Sequence, residues 1–277
     1  MTINLNHKPY LTKKQLYVLT LIYEFRFVNS KHIKVRLNQK LLSQPSRNIG
    51  LLHKNGYMGR IWSGKDRLNG THAVYYLLPL GIQVLRANKP TANPKVLKNI
   101  YNDQNASKDF VKRCLVIGDI NCELVRLFAE RMTFFTRSNM RKYDYFPNPL
   151  PDGYIPIRLT NDNFRYFFLD FYGLSPLDSI ARRRIRQYVQ YAESKEWENN
   201  TGSPFPTILM VFETSLLQKI MLGYVQRTIN RSESLLEHLT FMATTLDKLK
   251  AAKDSEEPIW QKITGEGVEE EDECLIA

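Results

Sequence analysis

The feature that most constrains the fold is a change in the spacing of apolar residues near residue 57. Before that point, apolar residues recur at helical spacing in three short segments, the first of which opens with Thr12 and Gln15 at capping-box spacing. After it, the segments 57–62 (YMGRIW) and 73–78 (AVYYLL) are aromatic and β-branched, with a polar, glycine-bearing stretch between them. That pattern predicts a hairpin. Three helices followed by a hairpin indicate a winged helix-turn-helix.

The boundaries of this first domain follow from capping residues. We predict helices at about 13–26 and 45–55, with a short helix between them that Asn29 or Ser30 can cap. A further helix at 79–88 closes the domain, so the winged helix is expected to occupy residues 1–88.

In a winged helix, the third helix enters the major groove of DNA and the hairpin lies along the backbone. Arg47 is the candidate for a base-edge contact, because a guanidinium can pair bidentately with guanine, whereas the hairpin cations are expected to meet phosphates. The alternative is a winged helix that binds protein. The residues predicted to contact DNA from these elements are Ser46, Arg47, His53, Lys54, Arg60, Lys65 and Arg67.

Charge is distributed unevenly along the chain, whose formal net charge is +11. Residues 1–88 hold fourteen Lys or Arg against Glu24 and Asp66, a charge of +12. This concentration predicts a polyanionic partner, most simply double-stranded DNA, although a merely soluble basic surface would have the same composition. Residues 254–277 carry −8, and we expect the acidic tail at 251–277 to be disordered.

Other classes of protein are disfavoured. No apolar run reaches the ~20 residues of a membrane helix, and no leader precedes a cleavage site, so we expect a cytoplasmic protein without membrane contact. Three cysteines, an odd number at no zinc-site spacing, are predicted to be reduced thiols. His32, His53 and His72 have no second ligand at a useful spacing, so neither a metal nor a cofactor is predicted.

The rest of the chain alternates helices and strands. After a predicted linker at 89–106, the second domain is expected at 107–250, as an α/β sandwich with a mixed sheet. Its predicted elements are helices at about 107–131, 175–195 and 215–228 and strands at 133–137, 153–159, 165–172, 206–213 and 238–244.

Two acids occupy notable places in this pattern. Asp152 lies in a Pro-Asp-Gly sequence before one strand, and Asp170 ends the next strand, which resembles the restriction-endonuclease-like PD-(D/E)xK fold. The chain also has the predicted winged helix, an arginine-rich helix after residue 175 and the strand PTILMVFE at 206–213. With these features it resembles the replication-relaxation family of plasmids and other mobile elements over about residues 10–263. The resemblance implies a DNA-binding protein with a part in replication, mobilisation or DNA relaxation.

The resemblance also identifies Asp152 and Asp170 as candidate catalytic residues. In active enzymes of the fold, two carboxylates hold Mg²⁺ and a lysine two residues after the second acid activates water. Tyr172 stands at that lysine position and is neutral at pH 7. Arg182 or Arg183 could supply charge but not act as a base. We therefore expect a degenerate site, with Asp152 capping a turn and Asp170 ending a strand or pairing with an arginine.

The arginines Arg182, Arg183 and Arg186 are further candidates for DNA contact, with a solvated helix face as the alternative. The predicted function is a double-stranded DNA-binding protein of a mobile element, with homodimerisation and contacts to replication or mobilisation proteins as further predictions. One alternative is a Mg²⁺-dependent endonuclease or nickase. A second is a transcriptional regulator of plasmid genes.

Overall fold

A computed structural model describes residues 11–38, 43–62, 70, 72–88, 93–160, 162–173, 178–231, 239–264 and 266–276. The chain forms two compact units, Met1–Asp119 and Ile120–Ala277. The division lies inside a long helix, later along the chain than the predicted start of the second domain at residue 107.

The first unit begins with the predicted order of three helices and a hairpin. Its elements are α1 (Lys13–Phe25), β1 (Val28–Asn29), α2 (Ser30–Arg36), α3 (Ser43–Lys54), β2 (Met58–Ile61), β3 (Val74–Leu77), α4 (Pro79–Asn88), α5 (Pro94–Ile100) and a 3₁₀ helix (Asp103–Asn105). Its three strands form an antiparallel sheet in the order β1-β3-β2.

Capping residues set the helix starts in this unit. Thr12 and Gln15 form the predicted capping box of α1, with each side chain accepting from the other residue's backbone N–H at 3.2 and 2.9 Å. Asn29 caps α2 by accepting from His32 N at 3.0 Å. Gly56, which has φ +74°, follows α3 and turns the chain into β2, because glycine adopts positive φ at low cost.

The predicted linker at 89–106 contains regular structure. Pro94 occupies the first turn of α5 and Asn93 caps it, with Val96, Leu97 and Ile100 buried. Proline is typical of linkers, but it is also favoured at the first helical position. This segment is therefore part of the first compact unit.

The second unit contains the rest of the elements. They are α6 (Lys108–Phe128, which crosses the division), a 3₁₀ helix (Ala129–Arg131), β4 (Phe135–Thr136), α7 (Arg137–Met140), β5 (Gly153–Arg158), β6 (Phe164–Tyr172), α8 (Asp178–Glu193), α9 (Glu196–Thr201), β7 (Thr207–Phe212), α10 (Ser215–Ile229), β8 (Phe241–Thr245), α11 (Leu246–Ala251), β9 (Trp260–Ile263) and β10 (Val268–Glu273).

The seven described strands of this unit form one mixed sheet in the order β10-β9-β8-β7-β6-β5-β4. The three central strands β6, β7 and β8 run parallel, and the outer pairs are antiparallel. Side chains of α8 and α10, such as Ile185 and Val225, join Phe168 and Met210 of the sheet in one buried cluster. The predicted α/β class is confirmed.

The C-terminal segment is not disordered as predicted, because it supplies β9 and β10. Leu275 after β10 is 1 % exposed. Lys262 of β9 pairs with Glu269 and Glu273 at 2.8 and 3.3 Å, and Lys248 pairs with Asp272. These lysine partners offset the repulsion among the carboxylates. The number of acids in the segment does not indicate them.

Two simpler expectations can be compared with the structure. No disulfide joins Cys114, Cys122 and Cys274 in the described part of the chain, in line with the prediction of reduced thiols. No helix among the described residues has the length and apolarity needed to cross a membrane.

Candidate functional site

The two candidate acids lie side by side on neighbouring strands. Asp152 precedes β5 and Asp170 lies near the end of β6, and the antiparallel register Gly153↔Leu169 brings them together. The backbone N–H of Asp152 donates to Asp170 Oδ1 at 3.1 Å, and the N–H of Phe171 donates to Asp152 Oδ2 at 2.9 Å. Both acids are buried, at 4 % and 3 % exposure. The structure therefore places the two candidate acids next to each other.

Asp170 is held by two side chains one helical turn apart on α8. Arg184 Nε and the Tyr188 hydroxyl both donate to Asp170 Oδ2 at 2.7 Å. Arg184 also donates to the Tyr188 hydroxyl at 2.6 Å and to the carbonyl of Pro149, and its guanidinium carbon lies 4.2 Å from the Tyr188 ring centroid. This network fixes α8 against β6.

The surroundings of Arg184 and Tyr188 keep each of these two side chains in a single protonation state. Burial alone would lower the pKa of the Arg184 guanidinium, but the charge and hydrogen bond of Asp170, together with Tyr188 and Tyr172, raise that pKa above its ordinary value. Burial raises the pKa of Tyr188 well above its usual value, although Arg184 opposes the shift. Arg184 is thus a permanent cation and Tyr188 a neutral donor, and neither can take a proton from water at neutral pH.

Asp152 has an arginine of its own. Arg137, at the start of α7, lies with Nη2 3.0 Å from Asp152 Oδ1 and donates from Nε to the carbonyl of Pro151 at 3.3 Å. All four carboxylate oxygens of the two acids therefore have a hydrogen-bond donor or cation beside them. A divalent cation, which binds carboxylate oxygens directly, would have to displace these partners.

Tyr172, at the position where the resemblance implies a lysine in active enzymes, lies in the core. The Tyr172 ring is buried and stacks on Phe212, with centroids 5.2 Å apart and planes 21° apart. Within the described ranges, no group of three or more His, Cys, Asp or Glu side chains is arranged to hold a metal ion.

The arginines of α8 divide between two environments. The guanidinium of Arg182 lies 5.2 Å from the Tyr224 ring centroid, and Arg186 donates to the Tyr224 hydroxyl at 2.9 Å. Arg183 is exposed. The partner of Asp170 is Arg184, which the sequence analysis did not select. Its spacing from Ala181 and Tyr188 matches the buried face of the helix and could have identified it.

In the first unit, the structure describes most of the residues that are predicted to contact DNA. Arg47 and Lys54 on α3 are exposed, as is Arg60 on β2, whose guanidinium lies 5.1 Å from the Trp62 ring centroid. His53 instead turns toward the hairpin, with Nδ1 3.1 Å from the Met58 carbonyl. The Ser46 side chain, Lys65 and Arg67 lie outside the described residues.

Comparison with known proteins gives one match. The family model described as replication-relaxation matches residues 19–208, or 190 of the 277 residues. The matched range contains both acids and the arginine-rich helix α8. No curated protein and no solved structure matches the chain. The family match confirms the resemblance found in the sequence, and the chain belongs to the replication-relaxation family.

Proposed function

We propose that this protein binds double-stranded DNA of a plasmid or other mobile element and acts in its replication, mobilisation or relaxation. The family description supports the general role. The further proposal is that the first unit reads the DNA as a winged helix and that the second unit is a nuclease-like frame without cleavage activity.

The observation that carries DNA binding is the exposed basic face of α3. Ile49 and Leu52 bury one side of this helix, while Arg47 and Lys54, which are seven residues apart and therefore share a face, are exposed. A helix with this division, followed by a hairpin with an exposed Arg60, has the chemistry of a groove-binding helix with a phosphate-contacting wing. The charge of +12 over residues 1–88 adds long-range attraction to a polyanion.

The proposal of an inactive second unit is supported by the bonding of its two acids. Each has an arginine partner, Arg137 for Asp152 and Arg184 for Asp170, and Tyr172 replaces the lysine of active enzymes. Charge-neutralised carboxylates hold a hard cation weakly, because the cation must replace an existing ion pair.

The close approach of Asp152 and Asp170 favours one alternative, a metal-dependent endonuclease or nickase, because paired acids on adjacent strands are the ligand frame of that chemistry. A transcriptional regulator would use the same face of α3 on an operator. Mapping the bound DNA separates an origin or transfer site from a promoter.

The test of the main proposal is selection of duplex fragments from random sequence by the full-length protein, followed by affinity measurements as salt is raised. We expect an enriched site whose affinity falls steeply between about 50 and 200 mM salt, since several phosphates are contacted. An absence of salt-dependent duplex binding would refute the proposal.

A further inference from the structure

Aromatic side chains form a row on one face of the second unit's sheet, and part of this row is exposed. The row consists of Phe135 on β4, Tyr154 on β5, and Tyr166 and Phe164 on β6, and is called here the aromatic strip. Phe135 lies opposite Tyr154 in the register, and residues two apart on β6 share a face. Phe164 is 49 % exposed and Phe135 is 36 % exposed. Large aromatic groups in a contiguous exposed row mark binding surfaces.

Three of the four rings of the aromatic strip lie nearly parallel, whereas the Phe135 ring is tilted by 33° against Tyr154. Tyr154 and Tyr166 have centroids 6.2 Å apart and planes 11° apart, and Tyr166 and Phe164 have centroids 6.4 Å apart and planes 14° apart. Tyr154 is anchored by Trp197, whose ring centroid lies 5.5 Å away. The middle of the strip is therefore fixed to the core, and Phe135 and Phe164 at its two ends are exposed.

An open cavity of about 560 Å³ adjoins the Phe164 end of the aromatic strip. This volume suits a small planar ligand or one nucleotide. The cavity lies at the start of β6, whereas Asp170 is six residues after Phe164 on that strand, or about 20 Å at 3.3 Å per residue. The residues that line it include Phe164, Tyr166, Phe205, Arg165, Lys262 and Glu273.

Cations accompany the exposed rings. Arg158 is exposed and lies directly opposite Phe164 in the strand register. Arg131 donates from Nε to the backbone carbonyl of Arg158 at 3.3 Å, which places a second guanidinium beside the backbone at that residue. Arg165, which alternation places on the opposite face of β6 from Phe164 and Tyr166, also lines the cavity, where its Nη1 donates to the Leu275 carbonyl at 3.1 Å and Lys262 pairs with Glu273. The Phe164 end thus combines flat apolar faces with arginine side chains.

We propose that the aromatic strip and its cavity bind unpaired nucleotides of single-stranded DNA. Bases stack on Phe164 and Tyr166, one base enters the cavity, and Arg158 and Arg131 contact the flanking phosphates. Stacking on aromatic rings beside cations is the general mode of single-strand recognition, and it suits any base because every base has a π-face. The inference rests on the proposed role in DNA metabolism, but it uses a different surface from the exposed face of α3.

The test measures the binding of the full-length protein to two labelled probes, an oligothymidine of about 20 nucleotides and a duplex carrying the selected site. Oligothymidine forms no duplex, so it reports single-strand binding alone. The variants are Phe164→Ala and Phe164→Leu, which both remove the aromatic face at an exposed position, while leucine retains apolar bulk. Leu216→Ala is the control, because Leu216 is an exposed apolar residue on α10 outside the strip.

We expect both Phe164 variants to weaken oligothymidine binding by about 5- to 100-fold, since stacking on one ring has an effect of that size. The duplex affinity of both Phe164 variants should be unchanged, and the Leu216→Ala protein should bind both probes as the wild type does. Normal oligothymidine binding by Phe164→Leu would overturn the inference, because it would make the surface a general apolar contact for a protein partner.

The two proposals fail in different ways. Wild-type protein that binds the duplex but not oligothymidine would refute single-strand binding and leave the proposed function standing. Wild-type protein that binds oligothymidine with loss in both Phe164 variants, but no duplex, would support the aromatic strip and refute reading of duplex DNA by α3.

Discussion

Arg184 Nε lies 2.7 Å from Asp170 Oδ2, and both side chains are buried. Burying two charges is costly, and their attraction offsets that cost only when the remaining polar atoms are also bonded. Here Tyr188 and the backbone N–H of Asp152 complete the set of donors around Asp170. The pair therefore fixes α8 on the sheet next to the two buried acids.

Removal of the arginine should be strongly destabilising. We expect Arg184→Ala to lower the free energy of unfolding by about 3–5 kcal/mol, because Asp170 is left as a buried charge without its partner. Urea denaturation of the full-length protein measures the change. Arg183→Ala removes an exposed arginine from the same helix and should stay within about 0.5 kcal/mol of the wild type. Equal stability of the two variants would contradict the buried ion pair.

The second unit should not cut DNA. We expect no nicking or linearisation of supercoiled plasmid in Mg²⁺ or Mn²⁺, because arginines and backbone donors occupy the carboxylates of Asp152 and Asp170. Gel analysis of plasmid topology checks this expectation. Metal-dependent nicking that disappears in both Asp152→Asn and Asp170→Asn would establish the nuclease alternative. Asparagine is chosen because it retains hydrogen-bonding oxygen at each position.

Substitutions in the first unit should separate base reading from phosphate contact. Arg47→Ala should cost about 1–3 kcal/mol at the selected duplex site and relax its sequence preference. Lys65→Ala, in the sequence between the hairpin strands, should weaken binding to all duplexes alike and reduce the salt slope by about one. Titrations of specific and scrambled duplexes measure both effects. A uniform loss in Arg47→Ala would make that residue a phosphate contact.

The C-terminal strands should contribute to stability. Leu275→Ala should lower the free energy of unfolding by about 2–5 kcal/mol, as expected for truncation of a fully buried leucine. The neighbouring Ile276 is only half-buried, so Ile276→Ala should cost less. If both variants lose a negligible amount of unfolding free energy, this segment does not pack on the second unit.

The ion pair between Lys262 and Glu269 should have a defined pH window. Hydrogen bonds from Lys262 and then Glu273 lower the pKa of Glu269, so its contribution is present above its unfolded value near 4.5 and is lost as pH falls through the lower folded value. The hydrogen bond to Glu269 raises the pKa of Lys262 above 10.5, so that residue's contribution is lost only as pH rises through the raised value.

The measurement is the urea midpoint of wild type and Glu269→Gln across pH. The difference between them should be constant from about pH 5 to 9 and should disappear in stronger acid. Glu271→Gln, an exposed acid on the same strand, is the matched control. A difference that persists unchanged below pH 3 would show that Glu269 acts through packing and not through its charge.

Regular elements with strong apolar periodicity could be predicted from the sequence. The helix predicted at 79–88 has those bounds, and the strands predicted at 153–159 and 165–172 are each correct to within one residue. These segments alternate or repeat clearly, and the central strands are apolar because both of their faces are covered.

Predictions from the sequence were wrong where one local pattern is compatible with two different structures. Pro94 indicated a linker but starts a helix, and the acidic run at 268–273 indicated disorder but forms a strand with lysine partners from β9 and α11. At the site, the pairing of Asp152 with Asp170 was predictable from their places on adjacent strands. The choice of Arg184 from four neighbouring arginines depends on which face of α8 is buried, and that face is set by packing against the sheet.

The outermost strands of the seven-stranded sheet bear on how the protein behaves at high concentration. β4, at one side, has two residues, and β10, at the other, carries five acids in six residues. A very short strand offers few backbone groups to a neighbouring molecule, and a row of carboxylates repels an identical strand. Sheets of separate molecules are thus prevented from joining side to side. The protein should resist fibrous aggregation despite the large aromatic content of its sheet.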